Sequence, residues 1–570
     1  MNQPSPAIVP QVAVRRLPHA ALWLFALAYV LPGFIGRMPW RNEDITAFGY
    51  MLELARGQAD WLAPTLLGQP PEVDGLLPYW LGAWAIQLAP SWVPADFAAR
   101  LPFIALLGLS LLAVWYGIYY LARSPLAQPV AFAFGGEARP NDYARTLADG
   151  GLLAFVACLG LAQLGHETTP ALVQLCCVAL SFYAFAALPF RRWTPALSAL
   201  FGLTGLTLSG GPSMALLLAA GGLVAHVLDR RQAQEEPRRH RRGMWRLLAL
   251  TLLIAVLATT LNLWRWRIAL PEPSWSAWEG LASLLLWFTW PLWPLVLWTL
   301  WRWRRQLFGR WPSRHLSLPL WYTLITVGAT LITPAGDRAL LLALPALATL
   351  AAFALPTLSR SVSALIDWFT LLFFSSCALV IWVVWIAMQT GFPPQPAANV
   401  ARLLPGFEPR FIILPFLFAV LATVAWGWLV RWRIGRHRAA LWKSMVLPAG
   451  GAALSWLLLT TLWMPALDHA QGYAPLARRI ESSVQPDNCL AYFGLSRAQL
   501  AGLRFHTQLR LEPLADSARC PWLLIDLGVV SQTPGIVNSA EWERHGDWSH
   551  PRPGYEDLVM FRRHAPGRGH

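Results

Sequence analysis

The chain has 570 residues, of which 56% are hydrophobic and only 13% charged. A water-soluble protein carries about a quarter charged residues, so a soluble fold is excluded for most of this sequence. The net charge of +15 does not mark a nucleic-acid binder, because Lys and Arg gather between apolar runs as they do in cytoplasmic loops.

Taken in chain order, apolar stretches near the roughly twenty residues that a membrane span needs fall at 20–36, 99–122, 150–165, 170–189, 195–209, 212–228, 246–263, 280–301, 316–333, 339–356, 364–388, 411–430 and 444–465. They predict an α-helical polytopic membrane protein with about thirteen transmembrane helices. The first stretch follows Arg15 and Arg16 and lacks a small-residue cleavage site, so it reads as a span and not as a cleaved signal. Arg15/Arg16, Arg123, Arg191/Arg192, the Arg-rich segments 230–246 and 302–314, Arg360 and the basic segment 431–443 all fall on one side of this pattern. That side is expected to be cytoplasmic. The N-terminus is then inside, and residues 37–98 and 466–570 are outside. Within 37–98, the stretches 45–56 and 77–89 are amphipathic but too short or too polar to span, as in helices lying at the interface. Residues 124–149 form a polar connection on the inner side. Residues 466–570 read as a small α/β domain, with strands at Cys489–Phe493 and Trp522–Asp526 and a helix at 473–483. The chain thus divides into a membrane domain, 1–465, and an outer C-terminal domain, 466–570.

Cys158, Cys176, Cys177 and Cys377 lie inside apolar runs and read as packing residues. Cys489 and Cys520 lie in the polar C-terminal part, where an oxidising compartment would let them pair. No Cys or His set has metal-site spacing. Phosphate-binding loops, dinucleotide fingerprints and nucleophile elbows are absent from the sequence.

The residues with chemical potential cluster in the outer connections. Glu43 and Asp44 follow the first span. An adjacent acidic pair there can deprotonate a hydroxyl or orient it, hold a divalent cation, or simply favour a helix N-terminus. Arg100 enters the second span, where a guanidinium either binds a phosphate bidentately or snorkels to the interface. His166 and Glu167 lie in the outer turn between the third and fourth spans, and Asp337 and Arg338 at the outer end of the ninth and tenth. Each pair reads either as a ligand-contacting group or as a local cap or ion pair. Arg265, Arg267, Arg402 and Arg410 read chiefly as interfacial anchors.

The order of the outer-loop segments carries a resemblance. Glu43-Asp44 is followed by Asp60-Trp61-Leu62-Ala63-Pro64, Gly68-Gln69-Pro70-Pro71-Glu72, Pro78-Tyr79-Trp80-Leu81 and Ala98-Ala99-Arg100-Leu101-Pro102. This resembles the first periplasmic loop of the polyprenyl-phosphate-dependent GT-C glycosyltransferases of family 39, which include protein O-mannosyltransferases and the lipid A aminoarabinose transferases. Ser209-Gly210-Gly211-Pro212 and the segment from Asp337-Arg338 to Leu344-Pro345 are weaker echoes. The resemblance implies a bacterial inner-membrane enzyme with a polyprenyl-phosphate-sugar donor, a lipid, glycan or protein acceptor, and the C-terminal domain in the periplasm. It implies Asp44, in preference to Glu43, as catalytic carboxylate, Arg100 and Arg338 at the donor phosphate, and His166, Glu167, Asp337 and Tyr79 at the substrates. The expected leaving group is a stable phosphate anion, so no metal or other cofactor is expected. The sequence departs from the family at three points: the acidic pair is Glu-Asp and not Asp-Glu, Asp74-Gly75 stands near a family lysine, and Gly210 stands at another. A lipid-intermediate transporter and a non-catalytic scaffold are the alternatives. A transporter would be expected to show related halves, and the sequence contains no internal repeat.

Overall fold

The computed structural model describes residues 5–40, 42–228, 237–264, 274–309, 313–333, 336–434, 440–484, 489–516, 520–532, 537–538, 541–549 and 557–564. Arg265 and Arg267 lie outside the described residues. The first nine helices are α1 (His19–Val30), α2 (Glu43–Ala55), α3 (Leu77–Leu88), α4 (Ala95–Ala122), α5 (Pro140–Ala157), α6 (Leu159–Leu164), α7 (Pro170–Ala187), α8 (Thr194–Leu208) and α9 (Pro212–Val227).

Each of the thirteen apolar stretches contains helix, but not each is one straight span. Among the described residues, seven helices are long and apolar enough to cross a membrane, and four more are apolar but shorter. An eighth crossing would combine Trp275–Phe288 with Leu292–Arg302, two helices bent by 86°. Pro291 and Pro294 explain the break, since proline withholds an N–H and clashes with the preceding turn. The stretch at 150–165 is likewise interrupted, with Cys158 extended (ψ 122°) between α5 and α6. The stretch at 339–356 divides into Gly336–Leu341 and Leu344–Ala354.

The centre of the bundle is formed by α7, α4, α5 and the helix Lys443–Leu462, each packed against the next in that order. Small residues on α7, such as Ala171, Ala179 and Ala186, are fully or almost fully buried there. Arg360–Thr390 and Ile413–Ile434 lie on the outside and leave large apolar side chains exposed, including Leu414, Leu421, Val424 and Trp428. Helices satisfy their own backbone groups, so such a surface is suited to lipid and not to water.

The two ends of the bundle differ. At one end, the N-terminal tail threads across the connection between α4 and α5: Val130 N–H donates to Ala7 O and Gln11 N–H to Gly136 O, both at 2.9 Å. Arg16 pairs with Asp142 at 2.6 Å, and the Trp442 indole donates to Arg15 O at 2.7 Å. This end therefore brings together Arg15, Arg16 and Trp442, which the charge pattern assigns to one side. The opposite end carries α2, α3 and the C-terminal domain.

That domain is a five-stranded sheet of order β2-β1-β3-β5-β4, built from Arg510–Pro513 (β2), Cys489–Phe493 (β1), Trp522–Asp526 (β3), Asp557–Arg563 (β5) and Trp542–Ser549 (β4). β1 runs parallel to β2 and β3, while β5 is antiparallel to β3 and β4. The expected strands at 489–493 and 522–526 are its two central parallel strands, and Ala474–Ser483 is the expected helix. Cys489 and Cys520 are joined by a disulfide.

The helix Arg497–His506 docks the domain onto α2. Phe48 meets Phe505 edge to face with centroids 4.8 Å apart. Arg504 pairs with the buried Glu53 at 3.0 Å, and Arg497 pairs with Glu72 at 2.6 Å. An apolar contact flanked by ion pairs fixes α2 from the side facing away from the bundle.

Candidate active site

Helix α2 begins at the acidic pair. Asn42 precedes it with a positive φ of 70°, a conformation that Asn tolerates better than most residues. The chain turns there, Trp40 O accepts from Ile45 N–H, and both acids fall in the first helical turn. Negative charge is favoured at that position.

The two neighbours have opposite surroundings. Asp44 is buried, and both carboxylate oxygens are occupied. One accepts from Thr168 N–H at 2.8 Å and from the Thr168 hydroxyl at 2.6 Å. The other accepts from Trp40 N–H at 3.0 Å and pairs with the Arg37 guanidinium. Burial alone would raise its pKa. The Arg37 charge, the Thr168 hydroxyl, the Arg100 charge and the Trp40 N–H outweigh burial and hold the carboxyl below its usual value. Asp44 is thus an ionised pin between the loop and the turn before α7.

Glu43 is half-buried and has no hydrogen-bond or ion-pair partner among the described residues. Burial pushes its carboxyl above the usual range. The Arg338 and Arg497 charges oppose that shift, while Glu72 and Asp337 add to it. It is the member of the pair left able to accept a proton.

Arg37, which the sequence reading passed over, holds this region together. Its guanidinium donates to Asp44, to His166 O at 3.1 Å and to Met38 O at 3.4 Å, and lies 4.2 Å from the Trp40 ring centroid. Asp468, from the helix Met464–Gln471, accepts from Met38 N–H at 3.2 Å and from the Trp40 indole at 2.8 Å. Burial raises the Asp468 carboxyl to about 6 against the pull of those donors and of Arg37 and Arg100. Arg37 and Trp40 follow the first span, where an arginine and an indole read as interfacial anchors. Their partners lie far away in sequence, so only the fold reveals their role.

Two further arginines line the region. Arg100 is buried and donates through Nη2 to Asp96 at 3.2 Å. Its Nε and Nη1 make no hydrogen bond among the described residues. Arg338 reaches Glu167 at 3.4 Å and Asp337 at 3.7 Å, while its buried Nε has no partner. A buried donor without a partner is costly, and ligand-facing sites are one place where such donors occur.

The remaining candidates take different positions. Glu167 is buried beside Arg338 and accepts from Gln163 at 3.3 Å. Burial and the nearby Asp44 raise its carboxyl, against Arg338 and Arg37. The His166 ring lies among Tyr29, Phe34 and Trp456, with its nitrogens facing Ala162 O and Tyr29 O. Burial pushes this imidazole down to about 4, so it is neutral near pH 7 and serves as a packing element of the loop. Tyr79 is buried beneath Tyr50, centroids 5.3 Å apart, and donates to Val73 O at 3.3 Å.

The two segments that lack family lysines meet each other. Leu76 N–H donates to Leu208 O at 2.7 Å. A Cβ on Gly75 would approach the Ser209 backbone to 3.0 Å, and one on Gly210 (φ +85°) would approach Val73 to 3.0 Å. The backbones close where longer side chains would otherwise stand. Among the described residues, one grouping has metal-ligand proximity, Cys489, Glu512 and Cys520, and both of its sulfurs are committed to the disulfide.

The whole architecture matches two crystal structures of ArnT from Cupriavidus metallidurans. The one bound to undecaprenyl phosphate matches with a TM-score of 0.59 and 13% identity, covering 95% of this chain and 98% of that chain. The apo structure matches with a TM-score of 0.57 and 14% identity over the same shares. The fold is of the GT-C type. Within that fold, Glu43, Asp44, Arg100 and Arg338 lie around the start of α2. No family model matches the chain, and no curated protein matches it in sequence.

Proposed function

We propose that this protein is an inverting membrane glycosyltransferase that moves a sugar from a polyprenyl phosphate to a hydroxyl of an envelope acceptor, a lipid, glycan or protein, at the periplasmic face of a bacterial inner membrane. The reading rests on one observation: on a GT-C fold, the carboxylate of Glu43 is half-buried and unpartnered among the described residues, beside an arginine with an unsatisfied buried nitrogen. Two relatives in fold are structures of ArnT, one of them bound to undecaprenyl phosphate, which favours a lipid-phosphate donor here.

In this mechanism Glu43 accepts the proton of the acceptor hydroxyl. The acceptor oxygen forms its bond to the anomeric carbon as the bond from that carbon to the donor phosphate breaks, which inverts the centre. Arg338 and Arg100 stabilise the leaving phosphate through charge-assisted hydrogen bonds. Asp44 positions Glu43 through Arg37, Thr168 and the first turn of α2. Polyprenyl phosphate leaves as a stable anion, so the step does not require a Lewis acid, and turnover is expected to persist in a chelator.

The two carboxylates separate in a direct test. Glu43→Gln should fold with an unchanged melting temperature and lose about 10²–10⁴-fold in transfer rate from a polyprenyl-phosphate sugar. Asp44→Asn should also lose stability, by about 3–5 kcal/mol, because it leaves Arg37 buried without its anion. Full transfer activity in Glu43→Gln would remove Glu43 from the mechanism.

A further inference from the structure

At the end of the bundle away from Glu43 lies a cavity of about 870 Å³. Its place follows from α8 and α9. Their connecting turn at 209–211 touches the outer loop at Gly75 and Leu76, so the start of α8 and the end of α9 face the other way, about 22 Å along the fifteen-residue α8. Five arginines line the cavity: Arg191, Arg192, Arg238, Arg242 and Arg246. Arg191 is engaged, donating to the Tyr120 hydroxyl at 2.9 Å. The other four have no acidic partner among the described residues. Arg192 and Arg246 converge on one indole, with guanidinium carbons 5.4 and 5.7 Å from the Trp193 ring centroid. A cluster of guanidinium groups favours an anion in the space that it surrounds.

The cavity continues into a second, of about 330 Å³, and Leu188, Arg192, Gly243 and Arg246 line both. Beyond that shared rim the second cavity is an apolar groove between helices, walled by Phe185, Ala199, Leu200, Leu247, Leu250 and Leu253. A basic chamber opening into an apolar groove matches a molecule with an anionic head and a hydrocarbon chain. Basic pockets between helices on the cytoplasmic side are a recognised mode of anionic-lipid recognition.

We propose that this paired cavity is a binding site for an anionic phospholipid of the adjacent leaflet, its phosphate held by Arg192, Arg242 and Arg246 and one acyl chain lying in the groove. The site is separate from the outer-face region, and its existence does not depend on the transfer reaction.

Native mass spectrometry of the full chain released from detergent tests it, with phosphatidylglycerol and phosphatidylcholine of the same acyl chains offered in competition. Phosphatidylglycerol should be retained in preference. Arg192→Gln with Arg246→Gln should lower that retention about tenfold or more, the size expected when charge-assisted hydrogen bonds are lost. Inorganic phosphate alone should not displace the lipid, because it cannot occupy the groove. If the double variant does not fold, Arg246→Gln alone must still lower retention, and the preference of the wild-type chain must weaken at high salt. Equal retention of the two lipids, unchanged retention in a folded arginine variant, or displacement by inorganic phosphate would each overturn the proposal.

Discussion

Glu43 and Asp44 share a peptide bond, yet one is held by three residues and the other by none of the described residues. The difference arises from the helix start: the first turn of α2 directs one carboxylate onto Thr168 and Arg37 and leaves the other under the influence of the Arg338 charge. Because burial raises the Glu43 carboxyl, a Glu43-dependent rate should rise with pH through a value above that of an ordinary glutamate, a limb that Glu43→Gln should lack in a pH–rate profile. Asp468 gives a separate reading. Its carboxyl titrates near 6 in the folded chain against 3.8 when free, so between those values the folded state binds more protons than the unfolded. Stability from this group is therefore fully present below the lower value and is lost as pH rises through about 6. Melting curves across that window should show this fall in the wild type and a flatter response in Asp468→Asn. The acidic pair, Arg100 and Arg338 were legible as outer-loop groups in a motif order. Arg37, Thr168 and Asp468 were not, because each gains its role from a contact between distant segments, and a lone Arg after a span has an ordinary interfacial explanation.

At the scale of elements, α2 is held between the bundle and the helix Arg497–His506. Gly49 is the closest point: a Cβ there would stand 2.7 Å from the Ala501 Cβ. Gly49→Val should force the two helices apart and cost about 1–3 kcal/mol by overpacking. Limited proteolysis should then release the C-terminal domain sooner, and transfer activity should fall with it. Gly108→Ala in α4, where a Cβ meets nothing within 4 Å, should be neutral or slightly stabilising by helix propensity and serves as the control. Long apolar runs revealed the helices, but breaks within them were harder to read. Pro291 and Pro294 were visible in the sequence, yet the apolar run continues across them and reads as one span. In the C-terminal domain, β1 and β3 are short apolar runs and were evident. β4, with the sequence Trp-Glu-Arg-His-Gly-Asp-Trp-Ser, is an edge strand and too polar to announce itself.

The molecule as a whole joins a lipid-facing bundle to a polar domain stapled by Cys489–Cys520. Replacing both cysteines by serine should destabilise that domain by about 2–4 kcal/mol, measurable as a lower melting temperature that reductant reproduces in the wild type. The closed contact between Gly75 and Ser209 gives the family departures a shared physical setting: changing Gly210 alone to lysine would meet Val73 and a backbone that already occupies the space, so Gly210→Lys should not improve transfer and should lower stability. The docking of Arg497–His506 on α2 also has a consequence for biosynthesis. The helix bearing Glu43 leaves the ribosome near the beginning of translation, whereas the surface that braces it is made near the end. A nascent chain would therefore hold its acidic pair on an unclamped helix until the last domain is made, and a product truncated before that domain would leave α2 without the brace of Phe505 and Arg504.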